Sequence, residues 1–424
     1  MRYQFKAGIN EKEFDDFVKG FPSTSFMQTS SWAKVKSAWE HDFVGMYSKG
    51  KLVCSAMILK RNLFLGKKLF YIPRGLVIDY KNEELLGKFI EELKIYAKKN
   101  NAIDIKIDPF VCFNEENIQT IKKKKDIPIN KPFTKDTKEI LVNLEKIGFK
   151  HGGYEKEVNA YIQPRYTMAI SLKDKDGNFF DKEALRRTFP KNTRNYIGTY
   201  HEERGVEFSY SKDINDVKKL VSVLHCTEQR QHVALRNETY FKKLMKEFPS
   251  NAVLFFAHVD IDKYISFLKQ DMIKNENKKE FCEKQMKEAL MVKEKYGNRP
   301  LAGATIVMMP TCKEGIKVAS FLYAGTNTEI LPSLKITNGL MYYRLCYCLD
   351  NYCDYCDLGG VNGSLEDHLS TFKSKFNPEV LELIGEFDLV VSKFWFKLFN
   401  IGMKLLKFIR SKRWIIIIFI KDYI

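Results

Sequence analysis

Apolar and polar positions along the chain follow two periods, and the switches between them mark the elements. Short runs rich in β-branched and aromatic residues at Phe43–Ser48, Lys51–Leu59, Lys68–Ile72 and Ala102–Ile107 predict strands. The first two flank Ser48-Lys49-Gly50, a turn sequence that makes them a hairpin. Three- and four-residue spacing predicts helices at Ser30–Trp39 and Glu83–Asn100, the first opening on a polar cap. Asp108-Pro109 ends the fourth strand, which places Asp108 at a strand's C-terminal edge, where α/β sheets bind ligands. Further on, strands at Tyr166–Leu172, Ala252–Val259, Leu301–Met309 and Val318–Tyr323 are predicted between helices at Thr137–Lys146, Asn215–Arg230 and Tyr240–Glu247. Asp181–Arg204 reads as a basic helical stretch carrying Arg186, Arg187, Lys191 and Arg194.

Two segments break or complete this alternation. In Asp262–Tyr296, 16 of 35 residues are charged, and apolar residues recur at helical steps on both sides of Lys274–Asn277. Tyr264, Leu268, Met272, Cys282, Met286, Ala289 and Val292 would form the thin seam of an antiparallel helical coiled-coil arm. Strands resume after it, so the arm is an insertion. Ser320–Phe376 reads as a βαβ unit: a strand with Tyr323, an apolar helix, a strand ending in Gly359-Gly360, and a turn bearing Phe372 and Lys373. Glycines there let backbone amides approach an anionic or carbonyl group. The expected fold class is α/β (α+β), with a first domain at 1–162, a second at 163–385, the arm at 262–297, and a C-terminal helix and tail at 386–424.

Composition narrows the function. A chain of 424 residues is too long for one ordinary core. A formal net charge of +17 points to a polyanionic partner, or to a lysine-rich compositional bias. Nine scattered cysteines and an N-terminus without an apolar leader lead us to expect a reduced, cytoplasmic protein. Cys346, Cys348, Cys353 and Cys356 invite a zinc reading. Two helical positions two apart point about 200° apart, however, so no metal is expected. No apolar run is long enough to span a bilayer. Lys393–Arg413 carries seven basic residues and no acidic one. Trp395, Phe396, Phe399, Leu406 and Ile409 fall on one face, with Lys397, Lys404 and Lys407 on the other. That pattern fits an interfacial helix with peripheral membrane contact, or a helix packed on the body. Ile415–Ile420 is a short apolar tail.

Several ordered motifs together resemble one family. They include Phe26–Lys36, Tyr71-Ile72-Pro73-Arg74-Gly75-Leu76-Val77-Ile78-Asp79, Ile105–Pro109, Arg194-Asn195, Arg236–Tyr240, Tyr323-Ala324-Gly325, Asp357–Gly363 and Phe372-Lys373. In order and spacing, and with the arm, they are similar to the Fem family of peptidoglycan bridge-forming aminoacyltransferases, from about residue 3 to residue 405. Leu76, where the family usually has proline, and Ile330-Leu331-Pro332 depart from its pattern. The resemblance implies two tandem GNAT-like domains. It implies transfer of an amino acid (glycine, alanine or serine) from aminoacyl-tRNA to the stem-peptide lysine of a peptidoglycan precursor. That precursor is lipid II or UDP-MurNAc-pentapeptide. Aminoacyl-tRNA is the co-substrate; no cofactor or metal is implied, and a monomer is expected.

The resemblance also assigns roles. Lys36, Arg236 and Tyr240 match positions that grip the precursor's diphosphate and sugar, a task suited to cations and a phenol. As residues alone, Arg236 and Tyr240 also read as an i,i+4 helix pair. Tyr323 matches a tyrosine lining the same cleft, with Phe372 beside Lys373 as a further substrate contact; a buried strand tyrosine is the alternative for Tyr323. Asp108 would position the attacking amine or accept its proton, or simply cap a strand. Lys373 would stabilise a developing oxyanion or meet a tRNA phosphate, or be a surface lysine. Arg186, Arg187, Lys191 and Arg194 are weaker candidates for tRNA contact.

Overall fold

The computed structural model describes residues 3–22, 24–124, 134–154, 156–158, 162–231 and 233–412, with side chains to 405. The tail 413–424, with its Ile415–Ile420 run, and the side chains of Leu406, Lys407 and Ile409 lie outside the described residues. Fifteen described strands form two open sheets. In chain order these are β1 Tyr3–Ala7, β2 Glu40–Ser48, β3 Lys51–Asn62, β4 Lys68–Ile72, β5 Ala102–Ile107, β6 Cys112–Asn117, β7 Lys150–His151 and β8 Tyr166–Ser171. They continue as β9 Val206–Ser211, β10 Ala252–Val259, β11 Leu301–Met308, β12 Val318–Thr326, β13 Tyr355–Val361, β14 Glu379–Leu383 and β15 Phe387–Val390.

One sheet runs β1-β2-β3-β4-β5-β15-β7 and the other β6-β14-β8-β13-β12-β11-β10-β9. Both share a topology: an antiparallel meander ending in a parallel pair, β4 with β5 and β12 with β13. A helix links each parallel pair, Glu83–Lys99 in the first and Ile336–Asp350 in the second. Each half borrows from beyond the linear boundary expected near residue 162. β15 pairs with β5 and completes the first sheet, whereas β6 pairs with β14 in the second. The halves are therefore laced together by strands about 270 residues apart in sequence.

Local chemistry explains the elements. In β5, Ile103, Ile105 and Ile107 are buried in the period-two pattern of one sheet face, leaving Asp104 and Lys106 for the other. The Glu83–Lys99 helix opens on Asn82, whose side chain accepts from Leu85 N, with Glu83 and Glu84 in its first turn and Lys98 and Lys99 in its last. It buries Leu86, Phe89, Ile90 and Leu93, each contributing about 1.5–3 kcal/mol by leaving water. A second core unites the halves: Phe14, Trp32 and Ala33 of the first pack with Phe241, Leu244 and Ile306 of the second.

The arm appears as two packed helices, Ile261–Lys274 and Lys279–Tyr296. Lys293 near the end of the second pairs with Asp262 at the start of the first (2.6 Å), which fixes their antiparallel sense. Tyr264, Leu268, Cys282, Ala289 and Val292 are buried as the spacing predicts. Gln285 joins them, accepting from Tyr264 Oη at 3.2 Å and from Ser333. The Asp181–Arg204 stretch is three short helices rather than one, at Lys182–Arg187, Lys191–Arg194 and Thr199–Glu203, because Pro190 and Gly198 interrupt it. Cys346 touches Tyr342, whereas Cys348 lies against Cys353 and Cys356, all as free thiols.

The C-terminal helix Lys393–Lys412 departs from the expected two-faced pattern. Phe396, Phe399 and Met403 face the body, and Trp395 packs on Phe64 (5.9 Å between rings). Yet Phe394, Leu398, Ile401 and Leu405 are exposed on the outer side, among Lys393, Lys397 and Lys404. The helix is apolar around most of its circumference, so one stripe packs and another is left over. No described helix is long and apolar enough to cross a membrane.

Candidate functional site

A cavity of about 850 Å³ lies between the two sheets, bounded on one side by the C-terminal helix. At one end stands Lys36. The Ser30–Val35 helix, capped by the Thr29 hydroxyl, delivers it as the C-terminal cap residue. Its ammonium sits 5.0 Å from the Trp32 ring centre and 5.9 Å from that of Tyr240. The Arg236 guanidinium covers the same Tyr240 ring at 5.2 Å. Arg236 precedes the Glu238–Glu247 helix, whose cap Asn237 accepts from Tyr240 N, so the two residues straddle a helix start instead of forming a pair within it. Tyr240 meets Tyr323 edge to face, 6.3 Å between rings.

The structure thus brings Lys36, Arg236, Tyr240 and Tyr323 together from three separate segments, all lining the cavity. Burial, with Arg236 adding to it, pulls Lys36 down to about 8. Burial pushes the Tyr240 phenol well up, so it stays a neutral hydrogen-bonding group. Two half-buried cations over one tyrosine ring suit a doubly charged anion, since phosphate oxygens accept from both.

The other end is built from backbone. Pairing of β12 with β13 stops at Ser320 and Asp357, and β13 then bulges against β8 between Asp357 and Gly360. Gly359 takes φ +85°, a conformation that other residues rarely adopt. A Cβ on Gly360 would collide with Pro164. Asp357 holds the turn, accepting from Gly359 N at 2.9 Å and from the Thr167 hydroxyl.

Lys373 closes the turn from behind: its buried ammonium donates to the carbonyls of Gly359 (2.8 Å) and Gly360 (2.9 Å). Burial lowers it to about 8, with Asp357 and Asp367 opposing and Arg344 adding to the shift. Arg344 is itself buried, donating to Thr305 Oγ1 at 2.9 Å and lying 4.4 Å from the Phe321 ring centre. Lys373 is therefore not a solvated surface lysine.

Asp108 is buried behind the wall between these ends. It accepts from Tyr71 Oη (2.7 Å), Arg74 N (2.6 Å) and Gln163 N (3.2 Å), three donors from two segments. Burial raises its carboxyl, against the lowering by Arg74 and these bonds. The geometry is that of a group fixing the Arg74 and Gln163 backbone, both cavity-lining residues. Arg74 in turn donates to Pro164 O at 3.0 Å, tying the first wall to the Gly360 turn.

Phe372 packs edge-on against Phe376 (5.7 Å) in the second half's core, and not beside the cavity residues as expected. Its neighbour Lys373 takes the inward position because the two are successive on one helical turn. Arg186, Arg187, Lys191 and Arg194 sit together on the surface outside the cavity. Glu183 pairs with Arg186 (2.8 Å) and Arg187 (3.4 Å), and Arg194 donates to Arg187 O.

Sequence reasoning missed the acidic side of the cavity: Asp104 on β5, Glu386 just before β15 and Asp388 within it, with Lys106 of β5 among them. The signal was present in Asp104-Ile105-Lys106-Ile107-Asp108, where charges alternate with isoleucines on what must be an inward strand face. Arg74 was also legible, inside a motif but unassigned.

The sequence pattern of the FemAB family matches residues 9–291 and 274–404. The chain is 24% identical to "Aminoacyltransferase FemA" of Staphylococcus aureus (strain bovine RF122 / ET3-1), over 91% of this chain and 95% of that protein. It is 26% identical to "Lipid II:glycine glycyltransferase" of S. aureus (strain MSSA476), over 92% and 93%. Among solved structures it resembles "Crystal structure of FemX", with a TM-score of 0.72 and 22% identity, covering 94% of this chain and 99% of that one. The tandem α/β class expected from the sequence is the one observed.

Proposed function

The chain belongs to the FemAB family, and from that premise we propose that it is an aminoacyltransferase of peptidoglycan bridge synthesis. In this reading glycine, alanine or serine passes from aminoacyl-tRNA to the stem-peptide lysine of lipid II or its soluble UDP-linked precursor. The observation that carries it is the polarity of the cavity: two phosphate-suited cations at one end, and a lysine-clamped glycine turn at the other.

Lys36 and Arg236 would hold the diphosphate, with Tyr240 and Tyr323 against the sugar. The activated ester would lie by the Gly359-Gly360 turn. An ester needs little covalent help, so orientation and stabilisation of the oxyanion can supply most of the rate. Lys373 places a positive charge behind that turn, and Asp108 acts by fixing Arg74. Arg186, Arg187, Lys191 and Arg194 would meet tRNA phosphates. The test is incorporation of labelled glycine, alanine and serine from charged tRNA into lipid-linked and UDP-linked precursors. No transfer with any of the three would sink the proposal.

The C-terminal helix supports a peripheral site at the cytoplasmic membrane face. Its inner stripe lines the cavity, while its outer stripe interleaves exposed Phe394, Leu398, Ile401 and Leu405 with lysines and no acidic residue. Flotation with phosphatidylglycerol vesicles should retain the protein. Substituting Phe394→Ser with Leu398→Ser should release it. Equal retention by neutral phosphatidylcholine vesicles would contradict an electrostatic contact.

A further inference from the structure

The acidic side of the cavity is not accounted for by any role given so far. Asp104 is fully buried in the cavity wall, and among the described residues its carboxylate meets no donor except the neighbouring Asp388 carboxyl. It faces Asp388, which comes from β15, the strand that the first sheet gains from the far end of the chain, with Glu386 just before it. Lys106 is the cation among them, 2.6 Å from Asp388 Oδ1 and 3.2 Å from Glu386 Oε2. Its ammonium thus pairs directly with Asp388 and Glu386 and reaches Asp104 only at longer range. Burial first, and Asp388 second, push the Asp104 carboxyl upward, and the Lys106 ammonium offsets this only in part.

A buried carboxylate without donors costs several kcal/mol, and packing does not require one here. A primary ammonium supplies three donors and one positive charge, which matches three carboxylates sharing the single Lys106 cation.

We propose that Asp104 and Asp388 form a subsite for a primary ammonium group of the substrate. This rests on the transferase reading and refines it. Two sources share that chemistry, the side-chain amine of the acceptor lysine and the α-amine of the transferred residue. The C-terminal helix, whose Phe396, Phe399 and Met403 line the same cavity, keeps the subsite dry and so strengthens its charge selectivity.

The experiment measures binding, not turnover, on the full chain. One arm titrates UDP-MurNAc-pentapeptide against its Nε-acetyl-lysine form. The other titrates a non-hydrolysable aminoacyl-adenosine amide against its N-acetyl form. The expected result is a preference for the free amine of about tenfold or more in one arm, which identifies the source. That preference should collapse toward unity in both Asp104→Asn and Asp388→Asn, while affinity for the acetylated probe stays unchanged. Asp388→Asn decides the matter if Asp104→Asn fails to fold. Binding with no amine preference in either arm, or a preference that survives both substitutions, overturns the subsite and leaves the transferase reading intact. Failure of the unmodified protein to bind either free-amine probe overturns both.

Discussion

Lys36 is half-buried and Lys373 buried, and desolvation lowers both to about 8, yet they face opposite situations. Lys36 stands over two aromatic rings beside a second cation, and among the described residues it has no carboxylate. Lys373 is spent on two carbonyls of its own chain, with Asp357 and Asp367 nearby. The first is a cation waiting for an anion from outside, and the second a cation already fixed in place. A shared pKa therefore says little by itself; the partners tell a binding lysine from a positioning one. In the proposed reaction Lys36 would serve affinity and Lys373 rate.

The largest expected effect breaks the second assignment. Lys373→Met should lower kcat by about 10²–10³, the cost of removing one oxyanion-type support, with the precursor KM little changed. A rise in KM alone would move Lys373 to the binding side. Lys36→Ala and Arg236→Ala should each weaken precursor binding about 10- to 100-fold by calorimetry. That is the loss of one charged hydrogen bond of about 1.5–3 kcal/mol, and the single-turnover rate at saturation should survive.

The pH profile sharpens the contrast. Each lysine is a cation below about 8 and neutral above it. At saturating precursor kcat should fall as pH rises through about 8, reporting Lys373, and Lys373→Arg should move that fall upward. In the proposed complex the diphosphate would hold Lys36 charged, so its titration should show in kcat/KM instead. Asp108→Asn should cost about 2 kcal/mol in denaturant unfolding, because Asn cannot accept all three bonds in place. Smallest of all, Arg187→Ala should reduce the salt slope of tRNA binding by about one.

Much of this was legible in the chain. Strands in the meanders and the helical hairpin follow directly from apolar spacing, because each forms largely from neighbouring residues. The short β6, β14 and β15 were not legible: Cys-Phe-Asn-Glu-Glu-Asn has little strand character, and these strands exist only through pairing with partners far away in sequence. The site followed the same division. Lys36, Arg236, Tyr240 and Tyr323 stood in motifs and converge in the cavity. Glu386 and Asp388 arrive with β15 and could not be placed beside Asp104 before the strand exchange was known. Phe372 and Lys373 were adjacent in sequence, and only the helical turn shows which one points inward.

The central claim is that this cavity joins an amino acid to a stem-peptide lysine. Tandem mass spectrometry of precursor incubated with the protein and charged tRNA tests it most directly. The account predicts a mass gain of one or more amino-acid residues located on the lysine ε-amine. An unmodified precursor with every charged tRNA, or a gain located on any other atom, would contradict it.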